Sequence, residues 1–183
     1  MTGGRDPVDP GLVRRAAAGD ASAWRGIVAA YASRVFAYAR SHGLSEDAAD
    51  DLTQDCFLRM LGRLQGYEES GRFEHWLFTI ARNLVTDHLR GVAKRRTGGA
   101  DLLAQEPAPA VPPPSAQVGA EKLDLALTQL NDAERELIRL RYGAELTFPV
   151  MAEIVGEKVN TLLARHKRAL DKLRRWYAKE GET

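Results

Sequence analysis

Between Thr97 and Gly119 the chain carries Gly98, Gly99, Pro107, Pro109, Pro112, Pro113 and Pro114, with small residues between them. Helix cannot persist through such a run, because each proline lacks a backbone donor and restricts the residue before it. A linker that mixes flexible Gly with extended Pro segments is the natural reading. The 183 residues are therefore expected to form two small domains, 1–96 and 119–183, joined by a linker over 97–118.

Both halves read as helical. In the first, a short helix opens at Asp9 or Pro10 and runs through Ala18 to a stop at Gly19. A second spans about Ser22 to Ser41, with Trp24, Ile27, Val28, Tyr31, Val35, Tyr38 and Ala39 at helical spacing and Gly43 as its stop. Ser45 is a suitable N-cap for a third, and Glu46 and Asp47 suit the positive end of its dipole. This third helix carries Leu52, Cys56, Leu58, Leu61 and Leu64 before Gly66. A fourth begins near Phe73 and passes Arg90, with Trp76, Leu77, Ile80, Ala81, Leu84 and Leu89 on its apolar side. The second half predicts helices over about Ala120–Leu130, Ala133–Tyr142, Phe148–Val155 and Thr161–Ala178. Asn131 and Glu134 have the spacing of a capping box. No segment alternates with period two for long enough to argue a strand, so the fold class is all-α.

Composition narrows the function more by exclusion than by assertion. Cys56 is the single cysteine, which rules out an internal disulfide and any cysteine-based zinc site and suits a reducing compartment. The opening MTGGRDPVDP has no apolar signal core, and no stretch reaches the roughly 18–20 apolar residues of a membrane helix. A soluble, cytoplasmic protein without membrane insertion is expected. There is no Gly-rich phosphate loop, no metal-ligand cluster and no nucleophile beside a base, so neither an enzyme nor a cofactor is expected. Net charge is +1, so any role with nucleic acid must come from where the charges sit.

Phe148–Ala178 has the layout of a helix-turn-helix: a short helix with Met151, Ala152, Ile154 and Val155, a turn at Gly156, then a longer helix. At about 100° per residue, Val159, Leu162, His166, Leu170 and Leu173 cluster inward, with Leu163 at their margin and partly buried. Thr161, Ala164, Arg168 and Arg175 point the opposite way, flanked by Asn160, Lys167, Asp171 and Lys172. Eight Lys or Arg residues lie from Lys158 to Lys179 against one acid, Asp171, a basic patch that the near-neutral total hides. A groove-reading helix needs such donors, although basic residues also collect at helix C-termini for dipole reasons alone. His166 reads as a packed core-edge residue, since no second ligand lies at helical spacing.

Two features mark the first half. Ser45–Leu64 gathers Glu46, Asp47, Asp50, Asp51 and Asp55 beside Gln54, Phe57 and Leu58. The dipole explains Glu46 and Asp47 but not Asp55, which a partner presenting basic groups would explain. Gly71–Arg96 combines Arg72, Phe73, His75, Trp76 and Phe78 with Arg82, Asn83, Thr86, His88, Arg90, Lys94, Arg95 and Arg96. Aromatic, amide and basic groups together suit single-stranded DNA, yet Trp76, Leu77 and Ile80 also make an ordinary core stripe, and Trp76 is expected to pack there.

With these residues in view, DLTQDCFLRMLGRLQGYEESGRFEHWLFTIARNLVTDHLR (Asp51–Arg90) resembles region two of the extracytoplasmic-function (ECF) sigma factors, a compact branch of the sigma-70 family. LDLALTQLNDAERELIRLRYGAELTFPVMAEIVGEKVNTLLARHKRALDKLR (Leu123–Arg174) resembles their region four, and Leu12–Trp24 resembles the usual start. The resemblance implies an alternative sigma factor that brings core RNA polymerase to promoters and assists their opening. It implies that Asp51, Gln54, Asp55 and Leu58 dock on polymerase. The loop Gln65–Arg72, with Arg72, Trp76, Arg82, Asn83, Thr86 and Arg90, would read the minus-ten element as single-stranded DNA. Asn160, Thr161, Ala164, Arg165, Lys167, Arg168 and Lys172 would read the minus-thirty-five element in duplex form. An anti-sigma protein is implied as a further partner.

The chain departs from the family's pattern at Leu163 and Ala164, where a basic residue followed by Ser is common, and at Pro149 and Val150, where acids are common. Pro149 falls in a first helical turn, where its missing N–H is harmless. Two other readings stand beside the sigma factor: a sigma-shaped decoy for an anti-sigma protein, and a helix-turn-helix repressor.

Overall fold

The computed structural model describes residues 8–97 and 122–180. Of the linker expected over 97–118, Thr97 closes α4; residues 98–118, the expected helix start at Ala120 and the side chain of Arg96 lie outside the described residues. The chain divides into two compact units, residues 1–107 and 108–183. Helices and turns, with no strand, make up the described residues.

Unit 1 is built from α1 (Pro10–Ala17), α2 (Ala21–Ser41), α3 (Glu46–Leu64) and α4 (Phe73–Thr97). Each of the first three starts on a side-chain oxygen that accepts from otherwise unpaired N–H groups. Asp9 accepts from Gly11 at 2.9 Å, Asp20 from Ser22 and Ala23 at 2.8 and 3.1 Å, and Ser45 from Ala48 at 3.2 Å. Successive helices pack on one another, and α4 also returns to α2. The core between them is Ile27, Tyr31, Val35 and Tyr38 from α2, Cys56, Met60 and Leu64 from α3, and Leu77, Phe78, Ala81 and Val85 from α4. Each large apolar side chain fully buried this way contributes about 1.5–3 kcal/mol. Burial pushes the Cys56 thiol up to about 12, against the opposing charge of Arg59, which makes it a small apolar filler with an S–H turned to the Leu77 carbonyl.

One buried pair is ionic. The Arg34 guanidinium on α2 meets the Glu74 carboxylate on α4 at 2.5 Å, with the two side chains 5% and 10% exposed. The cation also lies over the rings of Tyr31 and Phe78, at 5.0 and 5.2 Å. The apolar periodicity of α2 gave no sign of it, since Arg34 stands next to Val35 on what reads as the margin of the stripe.

Unit 2 comprises α5 (residues 122–128), α6 (Asp132–Ile138), α7 (Phe148–Val155) and α8 (Val159–Glu180). The capping box is present: Asn131 accepts from the Glu134 N–H at 2.9 Å, and Glu134 accepts from the Asn131 N–H at 3.1 Å. The helix expected to reach Tyr142 instead ends as α helix at Ile138 and widens into a π-helical turn over Arg139–Gly143. Ala144 donates to the Arg139 carbonyl at 3.0 Å and Leu146 to that of Leu140 at 3.1 Å. The wider turn keeps Leu140, Ala144 and Leu146 buried while leaving Tyr142 57% exposed. Between α7 and α8, Gly156 sits at φ 72°, ψ 30°, a left-handed geometry that a residue with a Cβ adopts only at a cost. Pro149 is the second residue of α7, where its missing donor breaks no bond.

Candidate nucleic-acid and polymerase interfaces

Asp51, Gln54, Asp55 and Leu58 follow one another at helical spacing along α3, and all four are exposed. Leu58 is 65% exposed, and Leu61 beyond it is exposed as well. This corrects the expected apolar side of α3, which counted Leu58 and Leu61 with the core. The buried residues are Ala49, Leu52, Cys56, Phe57, Met60 and Leu64. At 100° per residue Leu58 and Leu61 lie roughly 140–160° from Cys56, on the far side of the helix. Phe57 takes the inward place and meets Trp24 edge to face, with ring centres 6.1 Å apart. The result is an acidic face with leucines set into it. An apolar group left in water among charges is what a protein-docking surface offers.

Between α3 and α4 runs a groove of about 430 Å³, lined by Arg59, Arg63, Ile80, Arg82, Asn83, Thr86, Asp87 and Arg90. Four of the minus-ten candidates, Arg82, Asn83, Thr86 and Arg90, thus share one cleft. Their spacing of four along α4 places Arg82, Thr86 and Arg90 in a row. Thr86 Oγ1 donates to the Arg82 carbonyl at 2.8 Å, which leaves the hydroxyl's lone pairs to a ligand. Arg90 reaches Asp87 at 3.8 Å with both side chains largely in water, an exposed pair of little energetic weight. The opposite wall, Arg59 and Arg63, was missed in the sequence. Its signal is two arginines four residues apart on the face of α3 next to the buried stripe.

The other two minus-ten candidates lie apart from the groove. Arg72 is exposed on the loop before α4. Trp76 is half-buried, and the expectation that it belongs to the core needs correction: Tyr67, from the loop between α3 and α4, stacks on it at 4.7 Å and 17°, with Phe73 against its edge at 5.9 Å. Its indole is covered by a residue of that same loop, which the helical pattern of α4 alone does not reveal.

In unit 2, the outward face of α8 presents Asn160, Thr161, Ala164, Lys167 and Arg168, all exposed. Leu162 and Ala169 are fully buried, and Val159, His166, Leu170 and Leu173 are half-buried. Leu163, expected to be partly buried, is 44% exposed, because it lies about 100° from the buried Leu162. His166 faces Tyr142, whose hydroxyl is 3.1 Å from Nε2, with Phe148 against the ring at 5.2 Å. Burial and then the charge of Arg141 hold its pKa below the ordinary value.

Two basic candidates on α8 have protein partners. Arg165 makes a two-pronged bond to Glu157, at 2.9 and 2.8 Å. Lys172 Nζ meets Glu134 Oε2 at 2.6 Å, the same oxygen that closes the capping box. Burial alone would raise the Glu134 pKa, but Lys172 and the Asn131 N–H bind the carboxylate and bring it below its ordinary value.

The two units are similar to known proteins. The family model described as sigma-70 region 2 matches residues 27–96, and that described as sigma-70, region 4 matches residues 126–175. RNA polymerase sigma factor NccH of Alcaligenes xylosoxydans xylosoxydans is 34% identical over 176 residues, covering 92% of this chain and 94% of that protein. ECF RNA polymerase sigma factor BldN of Streptomyces coelicolor is 35% identical over 170 residues, covering 88% of this chain and 64% of its own length. Among solved structures, CnrH in complex with the cytosolic domain of CnrY is similar with a TM-score of 0.72 and 25% identity, covering 94% of this chain and 99% of that one. The sigma factor RpoE, in complex with the anti-sigma factor NepR from Bartonella quintana, has a TM-score of 0.62 at 23% identity, covering 84% and 96%.

Proposed function

The chain belongs to the ECF branch of the sigma-70 family and is an alternative sigma factor, and from that premise we propose how its surfaces divide the work of starting transcription. Residues 1–96 serve as region two and 119–183 as region four, with 97–118 linking them. The exposed face of α3, with Asp51, Gln54, Asp55 and Leu58, docks on a basic surface of core RNA polymerase. The α4 side of the groove, with Arg82, Asn83, Thr86 and Arg90, together with Arg72 and Trp76 near the loop, holds the unpaired minus-ten strand. Promoter opening then follows from differential binding: groups that bind the single strand and not the duplex shift the equilibrium toward the open form.

Duplex reading at minus thirty-five falls to the outward face of α8. Asn160 and Thr161 stand at its N-terminal end, where a helix meets base edges, and Lys167 and Arg168 supply charge to phosphates. Ala164 and Leu163 are suited to thymine methyl groups. Arg165 and Lys172, each held by a glutamate that balances its charge, fix the helix in its seat. The protein acts in the cytoplasm and is held in check by an anti-sigma protein, as its structural relatives RpoE and CnrH are found in complexes. It performs no chemistry of its own.

The observation that carries this reading is the division of unit 1 into an acidic, leucine-bearing face on α3 and an arginine-lined groove beside it. The test is run-off transcription with purified core polymerase on genomic promoter fragments. Transcripts that depend on the added protein are expected. Polymerase binding without any specific transcript would overturn the promoter assignments, and absence of polymerase binding would overturn the α3 assignment.

A further inference from the structure

Helix α3 changes charge along its length. Its N-terminal half carries Glu46, Asp47, Asp50, Asp51 and Asp55; beyond Leu58 the charged residues are Arg59 and Arg63. Both arginines line the groove against α4, and neither makes an ion pair with another described residue. A basic partner surface drawn to Asp51 and Asp55 would be repelled by two arginines one turn further on. The pair therefore suits a different, anionic occupant, and the groove it lines holds Arg82, Asn83 and Arg90 on its other wall. Four guanidinium groups against the single carboxylate of Asp87 make a site for a chain of negative charges. Arginine's planar fork suits phosphate oxygens in particular.

We propose that Arg59 and Arg63 form the second jaw of a clamp on the phosphodiester backbone of the unpaired promoter strand, opposite Arg82 and Arg90, so that α3 as well as α4 holds the strand. This inference rests on the assignment of the α4 wall to single-stranded DNA. In it, Asn83 and Thr86 stand on the α4 jaw beside Arg82 and Arg90, where a base would enter while its flanking phosphates are gripped from both sides. The contact is with the backbone and is indifferent to sequence.

The test is binding of holoenzyme, formed from core polymerase and the full chain, to the fluorescent non-template strand of a promoter recovered by run-off transcription. Core polymerase alone serves as baseline, and affinity is followed against salt. Each phosphate contact to single-stranded DNA contributes about 0.7 to the slope of log affinity against log salt. Arg59→Ala with Arg63→Ala is expected to make the slope shallower by roughly 1.4, and Arg59→Lys with Arg63→Lys is expected to keep it, since charge suffices for a backbone contact. Both variants should form holoenzyme as the parent does. A parental slope in the alanine variant would overturn the proposal. Loss of holoenzyme formation would overturn it too, by placing the arginines on the polymerase face. If the parent holoenzyme held the strand no better than core, the assignment of the α4 wall would fall, and the clamp with it.

Discussion

Glu157, the residue after the left-handed Gly156, holds both terminal nitrogens of Arg165, at 2.9 and 2.8 Å. The bond ties the middle of the turn of the helix-turn-helix to the second turn of α8. Arg165 is thereby positioned, and its side chain is only 19% exposed. This makes it a strut of the reading helix more than a reader of bases. Glu157→Ala and Arg165→Ala are each expected to lower promoter-dependent transcription. The double variant should lose little more than either single one, with a coupling of about 1–2 kcal/mol in a double-mutant cycle on unfolding. A Glu157→Ala protein that transcribes better than the parent would show instead that Arg165 is freed to read DNA. Arg168→Ala, by contrast, should weaken promoter binding with only a small effect on stability, through its charge near Glu134, and should flatten the salt dependence by about one phosphate contact.

On α3, Leu58→Ser removes an apolar group that is already 65% in water. Its effect on stability should stay within about 0.5 kcal/mol, while affinity for core polymerase falls. Asp51→Ala with Asp55→Ala should weaken the same binding, and more strongly at low salt, because exposed charges attract over the Debye length. Fluorescence titration of labelled protein with core polymerase reads both. Unchanged affinity in the two variants would remove α3 from the docking surface.

The Arg34–Glu74 pair predicts an asymmetry. Arg34→Met leaves Glu74 buried without its cation and should destabilise unit 1 by about 3–5 kcal/mol. Arg34→Met combined with Glu74→Leu removes both charges and should cost much less. Urea unfolding followed by tryptophan fluorescence distinguishes the two, since Trp24 and Trp76 belong to this unit.

Glu134 sets a pH dependence on unit 2. Its carboxylate is held below the ordinary value of 4.5 by Lys172 and the Asn131 N–H, against the effect of burial. In the unfolded chain the carboxylate takes up a proton first as pH falls. The stabilisation it provides is therefore complete above about pH 4.5 and lost as pH drops through the lower folded value. Lys172→Met should reduce stability at neutral pH, and the gap between variant and parent should shrink as the buffer is acidified toward about pH 3. A gap that stayed constant would detach the Lys172 contact from the titration of Glu134.

Local chemistry made much of this fold legible in advance. The caps at Ser45 and Asn131, the turn at Gly156 and the bounds of α7 follow from side-chain oxygens and backbone freedom near the residue itself. What escaped depends on elements far apart in sequence. Whether Phe57 or Leu58 faces the core is a rotation of one residue, decided by where α2 and α4 lie. Trp76 is covered by Tyr67 from a loop that carries no helical pattern. The π-helical turn at Arg139–Gly143 arises from seating Leu140, Ala144 and Leu146 together, which no spacing in α6 announces. Among the functional candidates, those on α4 were found because their residue types suit DNA. Arg59 and Arg63 were passed over because an arginine on an exposed helix face is ordinary until a second wall stands opposite it.

The π-helical turn has a consequence for how α8 is supported. Because the chain bulges there, Tyr142 stands where its hydroxyl can meet His166 on α8, one turn beyond the segment that carries Asn160 and Thr161. Helix α8 is consequently braced like a beam at two stations about two turns apart: Glu157 and Tyr142 hold the adjacent Arg165 and His166, and Glu134 holds Lys172. A beam held at two such stations resists both sliding and rolling. Under the proposed minus-thirty-five assignment, a face so held is expected to meet the duplex in one register, and a promoter with a shifted base step is expected to bend to fit it.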